Sequence, residues 1–493
     1  MTSQKNSKIV YYVSLFIVFI IAIWGLVFND HFSKVANKLM GFLQNNFGWL
    51  YLFAMFIFVI VALMLGFSKF GKIKLGPDDS EPEFSTISWF AMLFGAGMGI
   101  GLVFWGVAEP ISHLVSHSNP GSSEAASFAM RASFKHWGFH PWANYSIIGL
   151  ALAYFQFRKG YPALISSIFV PLLGEERVRG PIGKTIDIFA VFATVAGVAT
   201  SLGLGTMQIN SGMNYVFGLP INSYVQIGII GIITVLYIGT AVAGIEKGIK
   251  LLGDINLYLA GGLILLTFLI GPKIIMMNSL AEGLGGYLNN FITDSLHLNI
   301  LGENKWVNGW TVSYWAWWIA WAPFVGSFIA RISKGRTVKE FILGVIVAPA
   351  IASFVWFAIF GGLGIGLVDK MGIQQLAEVV KVPETALFAA YGQYPLGKIL
   401  SIITLLLLCT FFITSANSAT FVLGMFTSGG DLNPSSRKKV IWGLVQSLLA
   451  TALLLSGGIL ALQTASVAAA FPFIFIMFFA CVSLFKAFNK EKL

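Results

Sequence analysis

Long apolar stretches alternate with short polar segments along the whole chain. Twelve of these stretches are long enough to cross a bilayer core of about 30 Å as helices, because such a crossing takes about 20 residues. The pattern therefore predicts an all-α membrane protein with about twelve transmembrane helices. They cover residues 8–28, 49–69, 86–107, 139–157, 185–205, 223–244, 255–275, 309–330, 341–364, 397–425, 439–460 and 464–485.

Composition and charge support the membrane prediction. Of the 493 residues, 57% are hydrophobic and 11% charged, whereas soluble domains carry about 25% charged residues. Most of the lysines and arginines fall in alternate segments between the stretches, as the positive-inside rule requires when both termini are cytoplasmic. This placement predicts a multi-pass protein of the cell (inner) membrane, and it explains the net charge of +10 without nucleic acid. Cys409 and Cys481 lie inside apolar stretches, which excludes a disulfide framework.

The third and eighth stretches are unusual for membrane helices. The third contains Gly97, Gly99 and Gly101, which favour local unwinding, although glycines at this spacing also allow close helix packing. The eighth contains Pro323, which we expect to interrupt its helix. Each of the two opens a block of five predicted helices, and an odd number gives the two blocks opposite orientations. Interrupted helices at matching positions of inverted halves are typical of secondary transporters with a midplane binding site.

This reasoning divides the chain into five parts. They are an N-terminal tail with two peripheral helices (1–85), a first five-helix repeat (86–280), an external linker helix (281–308), a second, inverted repeat (309–488) and a short cytoplasmic tail (489–493).

Aromatic residues cluster at two places. Trp317, Trp318 and Trp321 fall within an arc of about 100° on one helix face, and the predicted start of the fourth helix carries further aromatic side chains, Trp142 and Tyr145 among them. A tryptophan belt at headgroup depth would account for one or two of the tryptophans. Together the two groups supply enough rings to enclose a trimethylammonium group, which is held mainly by cation–π attraction.

Acidic residues are scarce in the predicted spans. Glu109 falls at the outer end of the third helix, and we find no carboxylate deep within a confident span. This pattern argues against a carboxylate proton relay and against a bare organic cation as substrate. Thr414 and Ser415 in the tenth helix offer neutral oxygens to a sodium ion, although such hydroxyls also bond back to their own helix.

Four histidines form two pairs with the i,i+4 spacing that suits a metal or haem. They are His113, His117, His136 and His140. We expect them near the outer surface, and we find no cysteine or carboxylate that completes a metal set. A membrane redox protein or a channel is therefore kept only as a remote alternative.

Three segments carry a family resemblance: Gly-Met-Gly-Ile-Gly at 97–101, His-Trp-Gly-Phe-His-Pro-Trp at 136–142, and the run from Tyr314 to Thr337. In these segments, and along essentially its whole length, the chain resembles the betaine/choline/carnitine transporter family, most of all the glycine betaine carriers of Gram-positive bacteria. The resemblance implies leucine-transporter-like inverted repeats preceded by two extra helices, and a homotrimer in the lipid bilayer. It also implies uptake of glycine betaine with Na⁺ by alternating access, in the service of osmoprotection. A choline or carnitine carrier is the alternative, and no enzymatic activity or cofactor is implied.

The resemblance also implies which residues form the sites. For the substrate they are Trp137, Trp142, Tyr145, Gly99, Gly101, Trp317, Trp318 and Trp321. For one Na⁺ they are Gly95, Met98, Phe411, Thr414 and Ser415, and for a second Na⁺ Thr194 and Phe324. Val198 stands where a further threonine is expected at the second ion site, and Ser313 where an aromatic residue is expected.

Two further expectations concern coupling and choice of substrate. No Lys or Arg occurs from Leu251 to Pro272, where sodium-independent members place an arginine, so the resemblance favours sodium coupling. Gly101 carries no charge where choline carriers tend to have an aspartate, which favours betaine. Only the segment from Lys486 to Leu493 follows the last predicted helix, which predicts weak direct activation by osmolality.

Overall fold

The computed structural model describes residues 2–97, 99–242 and 246–492, and the regular secondary structure in these ranges is helical. The α-helices are α1 (Thr2–Val27), α2 (Asn29–Phe67), α3 (Thr86–Gly97), α4 (Ile100–Ser116), α5 (Ser123–Trp137), α6 (Phe139–Ala153), α7 (Val170–Leu173), α8 (Glu175–Arg179), α9 (Pro181–Phe217), α10 (Ser223–Val242), α11 (Glu246–Ile270), α12 (Lys273–Asn289), α13 (Phe291–Leu296), α14 (Ser313–Arg331), α15 (Val338–Ile365), α16 (Val368–Met371), α17 (Ile373–Val379), α18 (Ala386–Tyr391), α19 (Gly397–Phe426) and α20 (Ser436–Phe488). Two π-helical turns, Tyr154–Arg158 and Val307–Val312, extend α6 and precede α14.

The predicted membrane spans correspond to these helices. Eight helices of the described residues are long and apolar enough to cross a membrane. One of them, α20, covers the last two predicted spans and bends at Gly457 and Gly458, where the backbone leaves helical geometry. The predicted spans 86–107, 139–157 and 309–330 correspond to the interrupted or shorter helices α3 with α4, α6 and α14. The prediction of an all-α membrane protein with about twelve spans is confirmed.

The third predicted helix is interrupted at its glycines. Helix α3 ends at Gly97 and α4 begins at Ile100, while Gly99 between them is extended, with φ −144° and ψ −163°. Met98 lies outside the described residues. The break leaves the last carbonyl groups of α3 and the first N–H groups of α4 without partners in their own helices.

The predicted interruption at Pro323 is wrong. Helix α14 runs from Ser313 to Arg331 through the proline. A proline removes one backbone hydrogen bond and pushes on the preceding turn, but a membrane helix held between neighbours can continue past it. Helix α14 is held in this way, because α6, α9 and α20 pack against it. The irregular backbone lies instead at the π-helical turn Val307–Val312.

The segments predicted outside the membrane are largely helical, with shifted boundaries. Helix α4 continues to Ser116, beyond the predicted end of the third span at residue 107, and α5 follows and ends at Trp137. The next helix, α6, begins at Phe139, where the fourth span was predicted to begin. The predicted linker helix begins at Lys273, earlier than residue 281, because Pro272 ends α11 and opens α12.

The packing brings the ends of several helices together. Helix α14 packs against α6 and α9, and α4 packs against α5, α9 and α15. The glycine break, the junction of α5 with α6 and the aromatic face of α14 therefore meet in one place. The relation of the two five-helix blocks by inverted symmetry stays a prediction.

Candidate functional site

Most of the aromatic residues predicted for the substrate form one cluster. The ring centroids of Trp137 and Trp318 lie 4.8 Å apart at an interplanar angle of 73°. Tyr145 meets Trp318 edge to face at 6.5 Å, and Trp142 meets Tyr145 at 5.6 Å. Trp317 lies parallel to Trp318, with 4.7 Å between centroids and 14° between planes. We call these five residues, Trp137, Trp142, Tyr145, Trp317 and Trp318, the aromatic cage.

The junction of α5 and α6 fixes the cage. A Cβ atom at Gly138 would lie 2.5 Å from the carbonyl oxygen of Phe134, so only glycine fits where the chain turns between the two helices. Because α5 ends at Trp137, the carbonyl of His136 is free to accept the indole N–H of Trp318 at 3.0 Å. The Asn144 side chain donates to the Trp318 carbonyl at 2.8 Å. Trp318 is thus held at both its ring and its backbone.

Gly101 borders the cage directly. A Cβ atom built there would lie 2.8 Å from Cη2 of Trp317 and 2.9 Å from Cη2 of Trp137. These separations are shorter than real side-chain contacts, so the first turn of α4 approaches both rings only because residue 101 is glycine. The indole N–H of Trp317 is buried and has no hydrogen-bond partner among the described residues.

A buried carboxylate lies behind the cage. Glu109 is 0% exposed. One of its oxygens, Oε2, accepts the indole N–H of Trp137 at 2.8 Å and the hydroxyl of Tyr314 at 2.6 Å. The other, Oε1, lies 2.6 Å from Nδ1 of His136 and 3.3 Å from Nε2 of His113. Since four donor groups surround it, this carboxylate orients Trp137 and Tyr314 from outside the cage.

Two sequence predictions are corrected by Glu109. The side chain was placed at the outer end of the third helix, with no carboxylate deep in a span, but it lies within α4 and is fully buried. His113 and His136 were expected near the outer surface without a carboxylate to complete a metal set. Their ligand atoms lie within 4.8 Å of those of Glu109, so a carboxylate does accompany them, while their nearness to the outer surface stays a prediction. The histidine nitrogens contact Oε1 directly, and Trp137 and Tyr314 donate to Oε2, so these groups form a hydrogen-bond network that supports the cage.

Trp321 lies apart from the cage. Its ring packs on α9, where a Cβ atom at Gly197 would lie 2.6 Å from its Cδ1 atom, and it meets Phe324 edge to face at 5.4 Å. Of the six aromatic substrate residues implied by the resemblance, the structure brings five together and places Trp321 one helical turn further along α14.

The residues implied for sodium are spread over four helices. Gly95 lies in the last turn of α3, where carbonyl groups lack helical partners. Thr414 on α19 donates to the carbonyl of Thr410 at 2.9 Å and receives a hydrogen bond from Asn256 at 3.3 Å. This is the back-bonding that the sequence left as the alternative. Phe411 is buried on α19 near Thr414, and Ser415 follows it in the same helix.

The second implied ion site draws on two helices in contact. Thr194 on α9 is buried and donates to the carbonyl of Ala190 at 2.8 Å, and Phe324 is buried on α14. The two residues lie on helices that pack against each other. Nothing in these contacts assigns an ion, and both sodium sites stay predictions.

Comparisons with known proteins place the chain in a family. The sequence model of the betaine/carnitine/choline family transporters matches residues 9–493. The chain is 49% identical to a glycine betaine transporter, OpuD, of Bacillus subtilis, over 99% of this chain and 96% of the relative. It is 46% identical to a probable glycine betaine transporter of Desulfitobacterium hafniense, over 99% of both chains. The chain belongs to this family. It is therefore a multi-pass membrane transporter and not an enzyme.

A third relative is named for a different substrate. The ectoine/hydroxyectoine transporter of Virgibacillus pantothenticus is 45% identical, over 99% of this chain and 98% of the relative. Overall similarity at this level is therefore shared by transporters with different substrates, and the residues of the site have to decide between them.

Sequence reasoning missed two residues of this transporter's cage region. Tyr314 lies parallel to Trp318 at 5.8 Å and binds Glu109, but it entered the sequence argument only as part of a motif. Its spacing of four residues from Trp318 on one helix was a usable signal. For Glu109 the signal was weaker: an acid beside Pro110 in an apolar run, with no indication that the helix continued to Ser116.

Proposed function

We propose that this transporter takes up glycine betaine together with sodium, by alternating access between the two sides of the membrane. The observation that carries the proposal is the aromatic cage closed by Gly101. Betaine joins a trimethylammonium group to a carboxylate, so its site needs π-faces at one end and hydrogen-bond donors at the other. The site offers both.

The cage suits the ammonium end. A quaternary ammonium cannot donate an N–H bond, and it is held by cation–π attraction of about 0.5–2 kcal/mol per ring, depending on desolvation. Trp137, Trp318 and Tyr145 present rings at steep angles to one another. Trp317 covers part of the Trp318 face, so an ammonium bound on that face has to displace Trp317.

The glycine break suits the carboxylate end. At the start of α4 the N–H of Leu102 bonds to the Gly99 carbonyl, while the first N–H groups of a helix have no helical acceptor and favour an anion. The buried N–H of Trp317 lies beside Gly101 and lacks a partner among the described residues. Gly99, Gly101 and Trp317 thus give a carboxylate neutral donors without a competing acid.

The proposal of sodium coupling rests on the end of α3, on the other side of the glycine break from α4. The free carbonyl groups in the last turn of α3, including that of Gly95, suit a cation. The residues that would hold Na⁺ are Gly95, Met98, Phe411, Thr414 and Ser415, with Thr194 and Phe324 for a second ion. Met98 lies outside the described residues, and the hydroxyl of Thr414 keeps one lone pair for an ion while it donates to Thr410 and accepts from Asn256. A homotrimer in the cell membrane, with both termini cytoplasmic, completes the proposal.

The decisive experiment measures uptake into proteoliposomes. Labelled betaine, choline, carnitine and ectoine are compared under an inward sodium gradient and in potassium buffer. We expect saturable betaine uptake that follows the sodium gradient and exceeds uptake of the other three solutes. Preferred uptake of ectoine would give the chain the substrate for which the Virgibacillus relative is named, and betaine uptake at an equal rate in potassium would refute sodium coupling.

A further inference from the structure

A polar cavity lies between α5 and the segment that follows α12, close to the residues that support the aromatic cage. Its volume is about 460 Å³, within the range of about 300–1,000 Å³ that is typical of small-molecule sites. The second of these segments falls in the external linker helix that the sequence predicts at 281–308. The cavity is lined by, among others, Arg131, Lys135, Thr293, Asp294, Trp306 and Thr311.

Lys135 is the unusual residue of this cavity. Its side chain is 5% exposed. The ammonium donates one hydrogen bond, to Thr311 Oγ1 at 3.1 Å, and lies 4.9 Å from the ring centroid of Trp306. An ammonium has three donors, and among the described residues no carboxylate lies within ion-pair distance of this one. A buried charge of this kind is unfavourable unless something else compensates it.

The other charges of the cavity are already paired. Arg131 Nε lies 3.1 Å from Asp294 Oδ2. Lys305 pairs with Glu303 at the rim, where both side chains are mostly exposed. The excess positive charge of the lining is therefore that of Lys135, and it lies at the buried end of the cavity.

We propose that this cavity is a binding site for a small carboxylate, with Lys135 as its counter-charge and the Trp306 ring beside it. Charge-assisted hydrogen bonds from the two remaining donors of the ammonium suit the two oxygens of a carboxylate. The carboxylate belongs either to a free anion or to a zwitterionic solute that has not yet reached the cage.

The position of the cavity links it to the cage. Three consecutive residues of α5 face three environments: Lys135 the cavity, His136 the Glu109 carboxylate and Trp137 the cage. Thr311 is shared, because its Oγ1 lies 3.1 Å from Lys135 Nζ and 2.9 Å from His136 Nε2. A solute held by Lys135 is therefore one side chain away from the network that orients Trp137. The site itself does not depend on the cage's being a betaine site.

Ligand-observed NMR on the purified full-length protein tests the proposal, with acetate, betaine and choline as probes. We expect acetate to bind the wild type and to bind Lys135→Gln at least about tenfold more weakly, the loss of one charge-assisted contact. Choline, which has no carboxylate, should not compete with acetate. Lys381→Gln is the matched control, because Lys381 is exposed and pairs with Glu378. Trp318→Leu should weaken betaine binding and leave acetate binding unchanged, which separates this site from the proposed cage.

Two outcomes would overturn the proposal: unchanged acetate affinity in Lys135→Gln, or an equal loss in Lys381→Gln. If betaine competes with acetate in Trp318→Leu, the ligand is the carried solute, and if it does not, the ligand is a free anion. Should Lys135→Gln fail to fold, the proposal is tested on the wild type by the rate at which a small amine-reactive ester labels Lys135. Acetate should slow that labelling and leave labelling of Lys381 unchanged, and equal labelling with and without acetate contradicts the site.

Discussion

Replacing Glu109 by glutamine tests whether the carboxylate behind the cage orients the rings in front of it. Glutamine keeps the length of the side chain and one acceptor oxygen but removes the charge. The carboxylate accepts from Trp137 and Tyr314 at 2.8 and 2.6 Å. Hydrogen bonds to an ionised acceptor are about twice as strong as neutral ones, a difference of about 1 kcal/mol per bond. For two bonds the limit is about 2 kcal/mol, so we expect betaine affinity to fall by about tenfold.

A double-mutant cycle with Trp137→Phe assigns this loss to orientation of the ring. Phenylalanine keeps an aromatic face but has no N–H, so it cannot bind residue 109. Equilibrium binding of labelled betaine is measured for the wild type, both single variants and the double variant, together with their thermal unfolding. We expect the two changes to be coupled by about 1 kcal/mol, since contacting residues are not additive.

Additive effects within about 0.5 kcal/mol would show that Glu109 does not act on betaine through Trp137. The control is Asp187→Asn, another buried carboxylate, whose hydrogen bonds go to Ser166 at 2.8 and 2.9 Å. If Asp187→Asn reduces betaine affinity as much as Glu109→Gln does, the effect is one of general destabilisation.

Three further predictions concern the cage, the ion and substrate choice. Trp318→Leu and Trp137→Leu should each weaken betaine binding by the loss of one cation–π face, about 0.5–2 kcal/mol, and unchanged affinity in both would place the ammonium elsewhere. Thr414→Ala combined with Ser415→Ala should raise the sodium concentration for half-maximal uptake, and an unchanged sodium dependence would exclude both hydroxyls as ligands. Gly101→Asp should shift competition toward choline, whereas Gly101→Ala, which meets the same rings without charge, should reduce betaine uptake without that shift.

The sequence predicted the features that depend on local patterns. Hydrophobic length gave about twelve spans, and alternate glycines gave the break between Gly97 and Ile100. The helical periodicity of the tryptophans placed Trp317 and Trp318 on one face, and the structure brings them to Trp137. For the glycine break and the aromatic face the decisive information lies within about two helical turns, and for the spans it lies within one stretch of about 20 residues.

The errors arise where tertiary contacts decide. Helix α14 continues through Pro323 because neighbouring helices enclose it, which no local rule expresses. Glu109 is buried because donors from α5 and α14 surround it, and these are about 27 and 205 residues away along the chain. The third span was predicted to end at residue 107, before the end of α4 at Ser116, for a related reason, since polar residues such as His113 resemble a surface segment until their partners are known.

The buried Glu109 places a negative charge near the cage, and betaine is still the expected substrate. An acid is present near the cage after all, so the absence of a deep carboxylate cannot exclude a simple cation. However, the Trp137 ring stands between this acid and Trp318, and its N–H is bound to the carboxylate. The negative charge therefore favours an ammonium in the cage and repels a carboxylate from that side.

A zwitterion satisfies both demands in one orientation only, with its carboxylate turned toward Gly101 and the N–H of Trp317, which has no partner among the described residues. Choline offers these donors one neutral hydroxyl oxygen in place of two carboxylate oxygens, so a donor stays unmatched, and an unmatched buried donor is unfavourable by about 1–3 kcal/mol. The expected preference for betaine thus rests on the donors opposite Glu109 rather than on a lack of acid.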